Sequence, residues 1–272
     1  MNIDIRHCDN LELMAEIKDK TVDLIYCDIL YGTGRKFKDY QDLKPKREVI
    51  EEHYIPRIKE MHRILKDTGS IYLQMDTKIN HWLRCIMDDV FGYDNFLNEI
   101  IWNYRNRLCK SKKKYSDFFD VLIFYRKSSN HTYNKQYEPY NTTYELFKKQ
   151  LHQKILTDEN GLEYKTDKRT NKRFYIKDIY LKGIEVNSIF NIDCFNPASK
   201  ERLNYDTQKP KALIERIIKA SSNEGDLVAD FYAGSFTTAE VCKDLNRNFI
   251  GCDISEKAVQ IGLKRVDGFL NF

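Results

Sequence analysis

Polar and apolar positions change rhythm along this chain, and the changes mark out its elements. Val22, Leu24, Ile25 and Tyr26 make a short β-branched and aromatic run that stops at Asp28, ahead of a loop punctuated by Gly32 and Gly34. Such a run reads as a strand buried on both faces, with Asp28 and Tyr31 delivered at its carboxyl end. Upstream, residues 3–8 read as a strand, and Asp9-Asn10 as the cap of a helix over 11–17, where Leu11, Met14 and Ala15 recur at helical spacing. Downstream, the pattern predicts a helix over 49–65, a turn at Asp67-Thr68-Gly69, a strand over 70–75 ending in Asp76, a helix over 79–91, and strands over 98–104 and 121–125. Strands alternating with helices at this spacing imply an α/β, doubly wound fold with a mostly parallel sheet.

From about residue 128 the apolar periodicity fades. Tyr, Asn, Thr and Lys alternate through HTYNKQYEPYNTTYELFKKQ, and the stretch is too long for a loop, so residues 128–187 are expected to form a subdomain inserted between segments 1–127 and 188–272. Interleaved basic and aromatic residues suit a surface that follows a phosphate backbone and reads base edges; a small accessory module without nucleic acid is the plain alternative. Sharp patterning then returns. Pro210 opens a helix over 211–220 with Leu213, Ile214, Ile217 and Ile218 on one face. A strand over 227–231 runs into a glycine turn that opens another helix, and a last strand over 249–252 ends in Asp253.

Composition changes this picture in few places. A chain of 272 residues that is 42% hydrophobic is not disordered, and suits one large domain carrying an insertion. The net charge of +4 is mild, compatible with a nucleic-acid surface without requiring one. Cys8, Cys27, Cys85, Cys109, Cys194, Cys242 and Cys252 lie singly, with no C-x-x-C pair and no histidine cluster. They read as reduced core thiols, and no metal site is expected. With no signal segment and no run of membrane-span length, the chain is expected to be soluble and cytoplasmic, without a membrane partner.

Three stretches carry candidate chemistry. At the end of the first buried strand, the Asp28 carboxylate and a nearby backbone carbonyl can accept from an NH2 group while Tyr31 stacks on the planar substrate; a strand closing in an Asx turn is the bland alternative. The strand, glycine turn and helix start over 227–238 can receive a carboxylate or phosphate, and Asp253, about 20 residues past that turn, can accept from ribose hydroxyls. In RNRLCKSKKK at 105–114, Arg105, Arg107, Lys110, Lys112, Lys113 and Lys114 either reach duplex phosphates or form a solvated loop. The polar segment 35–46 beside Asp28 is a lid or a plain surface loop.

Together these stretches resemble one family. DFYAGSFTT at 230–238 resembles the D-P-F-x-G-S-G-T-T cofactor loop of S-adenosylmethionine-dependent amino-methyltransferases of DNA. DILY at 28–31 resembles their D-P-P-Y catalytic tetrapeptide, and TQKP at 207–210 the segment before the cofactor loop. The order, with an insertion between tetrapeptide and loop, resembles the β class, whose target-recognition domain lies in that insertion. The resemblance spans nearly the whole chain. It implies a Rossmann-like methyltransferase sheet with an inserted target-recognition subdomain, S-adenosyl-L-methionine as cofactor and double-stranded DNA as substrate. It implies transfer to adenine N6, because Asp stands first in the tetrapeptide, where cytosine-N4 enzymes more usually carry Ser. It further implies Asp28, Ile29, Leu30 and Tyr31 as catalytic residues, with cofactor contacts from Asp9, Asp28, Thr207, Lys209, Asp230, Phe231, Ala233, Gly234, Ser235, Thr237, Thr238 and Asp253. It is compatible with a homodimer and with a cognate restriction endonuclease.

The chain departs from the family pattern in both motifs. Ile29 and Leu30 replace the two prolines, so packing must hold a loop that proline's fixed φ would otherwise hold; if it does, restoring both prolines is expected to keep or raise the transfer rate. Phe236 replaces the second loop glycine, adopts positive φ less readily, and carries a ring that could crowd the cofactor. These departures leave a binding-only pseudo-methyltransferase as an alternative, beside a cytosine-N4 enzyme. An RNA substrate is a minor rival. A dehydrogenase would need the absent G-x-G-x-x-G loop, and the lack of any Pro-Cys dipeptide argues against a cysteine route to cytosine C5.

Overall fold

The computed structural model describes residues 1–36, 41–104, 112–195, 199, 201–203, 205 and 207–267. In chain order its elements are β1 (Ile3–His7), α1 (Asn10–Glu16), β2 (Val22–Asp28), α2 (Arg47–Ile64), β3 (Leu65–Met75), α3 (Asn80–Phe91), β4 (Phe96–Asn103), β5 (Phe119–Arg126), β6 (Tyr137–Glu138), α4 (Tyr144–Gln150), β7 (Leu156–Thr157), β8 (Glu163–Thr166), β9 (Arg173–Tyr175), α5 (Ile176–Lys182), β10 (Ile184–Glu185), β11 (Ile189–Asn191), α6 (Lys211–Ser221), β12 (Leu227–Asp230), α7 (Thr237–Asp244), β13 (Asn248–Asp253) and α8 (Glu256–Asp267). The chain divides into two compact units, one formed by Met1–Asn134 with Ser188–Phe272, the other by Lys135–Asn187.

The larger unit is built on an eight-stranded sheet in the order β1-β13-β12-β2-β3-β5-β4-β11. β2 lies in the middle, which is why its apolar run does not alternate: Leu24, Ile25, Tyr26 and Cys27 are all buried. Helices cover both faces. Ile71, Leu73 and Met75 of β3 turn into one core with residues of α1, α2 and α3, while Tyr72 between them turns the other way, its hydroxyl 2.7 Å from that of Ser221 on α6. Each large aliphatic side chain removed from water in this core contributes about 1.5–3 kcal/mol.

Pairing is parallel except at β5, which lies antiparallel between β3 and β4. The Asp67-Thr68-Gly69 segment differs from its expectation. It is not a turn between elements but part of β3, which starts at Leu65 and shifts register against β2 between Val22 and Leu24.

Two consequences of this topology position the site. β1, β13, β12 and β2 are parallel neighbours, so Asp9, Asp253, Asp230 and Asp28, at or just past their carboxyl ends, come to one sheet edge. β12 and β2 come from opposite ends of the chain, so this edge is a switch point of the kind where open α/β sheets bind ligands. Because β5 runs the other way, its amino end, with Asp120, arrives at that same edge.

The smaller unit holds a three-stranded antiparallel sheet β7-β8-β9 and a two-stranded pair of β6 and β10. Its core is aromatic, with Phe147 buried against Tyr140 and Tyr180 at ring separations of 4.5 and 5.3 Å. Thus part of the aromatic content of this region holds it together. Another part lies beneath cations: Lys182 over the exposed Tyr137, and Arg173 over the half-buried Tyr164, at 4.5 and 4.8 Å.

Candidate active site

Asp28 closes β2, and three constraints set the loop behind it. The Ile29 N–H donates to Gln74 O at 3.1 Å, carrying the ladder with β3 one residue further, and the Ile29 side chain is buried in the core. Leu30 O accepts from the Tyr54 hydroxyl of α2 at 2.8 Å. Gly32, at φ +61°, passes so close to α2 and the residues before α3 that a Cβ would lie 2.8 Å from Ile79 Cγ2, so glycine is required both by conformation and by space. Asp42 then clamps the turn: buried, it accepts from the N–H groups of Gly32, Thr33 and Leu43 at 3.1, 2.6 and 2.8 Å, and from the Thr33 hydroxyl. Packing and hydrogen bonds therefore do what the two prolines would have done. Proline at 29 would have no N–H to give Gln74, which weighs against the expectation that restoring both prolines keeps or raises the transfer rate.

The Asp28 carboxylate is held from two sides. Its Oδ2 is ion-paired with Lys209 Nζ and its Oδ1 accepts from the Tyr31 hydroxyl at 2.9 Å. Burial pushes this carboxyl above the usual aspartate range, and the Lys209 cation pulls it back down. Lys209 also lies 5.5 Å from the Tyr31 ring centre. The Tyr31 hydroxyl is 2.7 Å from Asp120 Oδ2 as well.

The second loop, from β12 to α7, folds around two carboxylates. Asp230 accepts from Tyr232 N–H at 3.1 Å and the Thr238 hydroxyl at 2.7 Å, and burial pushes its pKa up to about 7. Asp253, at the end of β13, accepts the Gly234 N–H at 2.9 Å and the Ser255 N–H at 2.8 Å. Phe236 does adopt the left-handed conformation that its family's glycine suits, φ +55° and ψ 35°. Its ring, however, turns into the core against Phe249 and α8, where Gly262 leaves room for it: a Cβ on Gly262 would lie 2.6 Å from the ring. The expected crowding of the cofactor is corrected on this point, since the ring points away from the site.

Both loops open onto one cavity of about 210 Å³, whereas a single water takes roughly 10–15 Å³. Every catalytic and cofactor-binding candidate lines it: Asp28, Ile29, Leu30 and Tyr31 from the first loop, Asp230, Phe231, Ala233, Gly234, Ser235, Thr237 and Thr238 from the second, with Asp9, Thr207, Lys209 and Asp253. Phe236 is not among the lining residues. Asp9 caps α1 through Leu11 N–H and pairs with Arg57 at 3.1 Å; Arg57 also donates to Asn10 Oδ1 and His53 O. His53 meets the Tyr232 hydroxyl at 3.0 Å, and burial with the Arg57 charge lowers its pKa to about 4.

Sequence patterning did not single out Arg57, His53, Asp42 or Asp120. Only Asp120 had a visible signal, a lone carboxylate at the head of the buried run VLIFY. Of the basic candidates, Arg105, Arg107 and Lys110 lie outside the described residues. Lys112, Lys113 and Lys114 are exposed in the connection from β4 to β5, which leaves the same sheet edge as Asp28; Lys114 pairs with Asp117 at 2.5 Å. No group of three or more His, Cys, Asp or Glu side chains among the described residues could hold a metal ion, and no helix among them is long and apolar enough to cross a membrane.

An open α/β sheet with a loop-built site across its switch point is shared by many ligand-binding enzymes. This chain belongs to the DNA methylase family of N6/N4 type, whose profile matches residues 22–264. It is 30% identical over 262 residues to the Type II methyltransferase M1.MboII of Moraxella bovis, covering 94% of this chain and 93% of that one. It is 29% identical over 267 residues to the DNA adenine methyltransferase YhdJ of Escherichia coli, covering 97% and 82%. In fold it is similar to M1.HpyAVI in complex with SAM (TM-score 0.59, 18% identity, 97% and 99% covered) and to the cytosine-N4-specific PvuII DNA methyltransferase (TM-score 0.67, 16% identity, 100% and 87% covered).

Proposed function

We propose that this DNA methyltransferase moves a methyl group from S-adenosylmethionine to N6 of adenine in double-stranded DNA, at a specific sequence. The observation that carries the reading is the meeting of Asp28 and Tyr31 with the 230–238 loop in one cavity. The donor set fits the cofactor. Asp253 suits ribose hydroxyls, Asp9 in the same lining would serve the adenine, and the start of α7 suits a carboxylate. Carboxylates outnumber cations along the lining, which suits a sulfonium and is unfavourable to the phosphates of a dinucleotide.

When bound, the cofactor supplies an electrophilic methyl on a sulfonium. The protein's part is to prepare the amine, whose lone pair is otherwise delocalised into the ring. Asp28 would accept a hydrogen bond from one amino N–H and the Ile29 carbonyl from the other, drawing the nitrogen toward tetrahedral geometry with its lone pair free. Each Asp28 oxygen has one observed partner, and an ionised carboxylate has about four acceptor positions, so capacity remains. The base must leave the duplex to reach this cavity, and Tyr31 would stack on it. Much of the rate would come from this positioning.

The smaller unit would read the target sequence, supported by its pairing of aromatic rings with cations. The basic connection from β4 to β5 would hold phosphates. Neutralising Lys112, Lys113 and Lys114 together should flatten the salt dependence of DNA binding, by up to about 0.9 in log–log slope for each phosphate that is no longer neutralised. An unchanged slope would leave the run a solvated loop. Type II names among the relatives favour a restriction–modification setting, with a cognate endonuclease as partner. Sequencing modified bases in DNA from cells expressing the chain tests the whole reading: N6-methyladenine in one motif is expected, and N4-methylcytosine would overturn the choice of base.

A further inference from the structure

Beyond the residues that line the cavity, one buried acid is tied to the reacting end. Asp120, at the amino end of β5, is 7% exposed. Its Oδ2 lies 2.7 Å from the Tyr31 hydroxyl and accepts from Gln74 Nε2 of β3 at 3.0 Å. Its Oδ1 accepts from the Tyr104 hydroxyl at 3.3 Å, and Gln74 in turn accepts from the Tyr26 hydroxyl of β2 at 2.8 Å. We infer that Asp120 is a positioning residue for methyl transfer, which through the Tyr31 hydroxyl both fixes the ring that receives the target base and governs the charge carried by Asp28. This role rests on the function proposed above.

Two acceptors compete for one hydrogen. Tyr31 Oη sits 2.9 Å from Asp28 Oδ1 and 2.7 Å from Asp120 Oδ2, and a phenol has a single hydrogen to give. Both contacts are hydrogen bonds only if one of the two carboxyls is protonated and donates to the phenol oxygen. With both ionised, one contact sets two oxygens against each other. Tyr31 thus links the two acids: when its hydrogen goes to Asp28 the Asp28 anion is favoured, and the neighbouring Asp120 charge works against that anion.

The groups facing Asp28 come from every neighbouring element: Lys209 ahead of α6, Tyr31 in its own loop, Tyr26 and Cys27 on β2, Asp120 on β5, and Asp230 on β12. Among these, Lys209 and the Tyr31 hydroxyl favour the Asp28 anion, and the Asp120 charge disfavours it. Asp28 accepts most strongly from the target amine while ionised, because protonation turns one of its oxygens into a donor and weakens the other as an acceptor. The network of buried Tyr26 and Gln74 with half-buried Tyr104 leaves Asp120 little freedom to move, so the Tyr31 ring is held by its hydroxyl as well as by packing.

Three variants separate this role from space filling. Asp120→Asn removes the charge, and its amide N–H can donate to the phenol oxygen, leaving the phenol hydrogen to Asp28. Tyr31→Phe removes that hydrogen altogether. Asp120→Ala frees the ring. Single-turnover methyl transfer is followed across the acid limb, and in parallel the Asp28 carboxyl band, identified by its loss in Asp28→Asn, is titrated by infrared difference spectroscopy without DNA. The acid limb and the infrared midpoint should both move down in Asp120→Asn and up in Tyr31→Phe, by about half to one pH unit. The plateau rate of Asp120→Ala should fall about 10²-fold. If Asp120→Asn titrates as the wild type does, in either readout, the coupling is wrong. If the infrared midpoints move as expected while the wild type methylates no DNA, the proposed function fails and the coupling stands.

Discussion

The two loops that meet in the cavity have each lost residues their family relies on, and they are repaired by different physics. The 28–34 loop has lost prolines, which restrict the backbone, and the restriction is rebuilt from outside: Gln74 O takes the Ile29 N–H, Tyr54 holds Leu30 O, and Asp42 gathers three further N–H groups. The 230–238 loop carries Phe231 at the pattern's proline and has also lost a glycine, which permits an unusual backbone; Phe236 keeps that conformation while its ring is seated over Gly262. A lost constraint is thus replaced by polar contacts, whereas a lost freedom is offset by burial of a ring. Asp28, Tyr31, Asp230, Gly234, Ser235, Thr237 and Thr238 are kept along the cavity, and Phe236 lies outside it.

Four perturbations probe this contrast. The strongest response belongs to the group that both repairs serve. Asp28→Ala should lower the single-turnover rate by about 10²–10⁴-fold, with cofactor affinity by calorimetry changed only a few-fold. Near-normal turnover would remove Asp28 from the chemistry. Next comes the ring socket: Gly262→Ala should destabilise the protein by about 1–3 kcal/mol through overpacking, and the penalty should vanish when Phe236→Gly is also present. Equal penalties in both backgrounds, read from denaturant midpoints, would show that the two positions are not coupled.

Ile29→Pro probes the other repair. Removing the N–H that Gln74 O receives should cost about 1–3 kcal/mol and lower the rate with it. A stability equal to wild type would mean that packing alone holds the loop. The weakest response is a pH dependence at the cofactor loop. His53, beside Tyr232, is held neutral well below its ordinary pKa of 6.5, at about 4. The unfolded chain therefore binds the proton more readily between those values. The His53 contribution, about 1–2 kcal/mol once solvent access is allowed for, should be complete above pH 6.5 and lost as the pH falls toward 4. His53→Gln should flatten that part of the stability profile; an unaltered profile would refute it.

Much of this was legible in advance because the signals are local. A continuous apolar run names a central strand, Asp28 ends it, and a glycine turn between strand and helix names the second loop; all of these residues do line one cavity. What stayed hidden depends on contacts between distant segments. Nothing near residue 236 says that a glycine on α8 makes room for its ring. Asp42 looks like any acid in a polar segment until its three N–H partners are in view. Asp120 could not be placed at the site while the sheet was read as mainly parallel, because only the reversed direction of β5 brings its amino end to the edge where Asp28 lies.

The proposed chemistry requires a carboxylate at the end of β2 to prepare the exocyclic amine of adenine for methylation in the cavity shared with the 230–238 loop. Wild type and Asp28→Ala can be incubated with methyl-labelled S-adenosylmethionine and DNA free of adenine methylation, and the labelled nucleosides resolved by mass spectrometry. Label is expected in N6-methyladenine with the wild type and none above background with the variant. Label in N4-methylcytosine, or no label from a folded wild type that binds the cofactor, would refute that role.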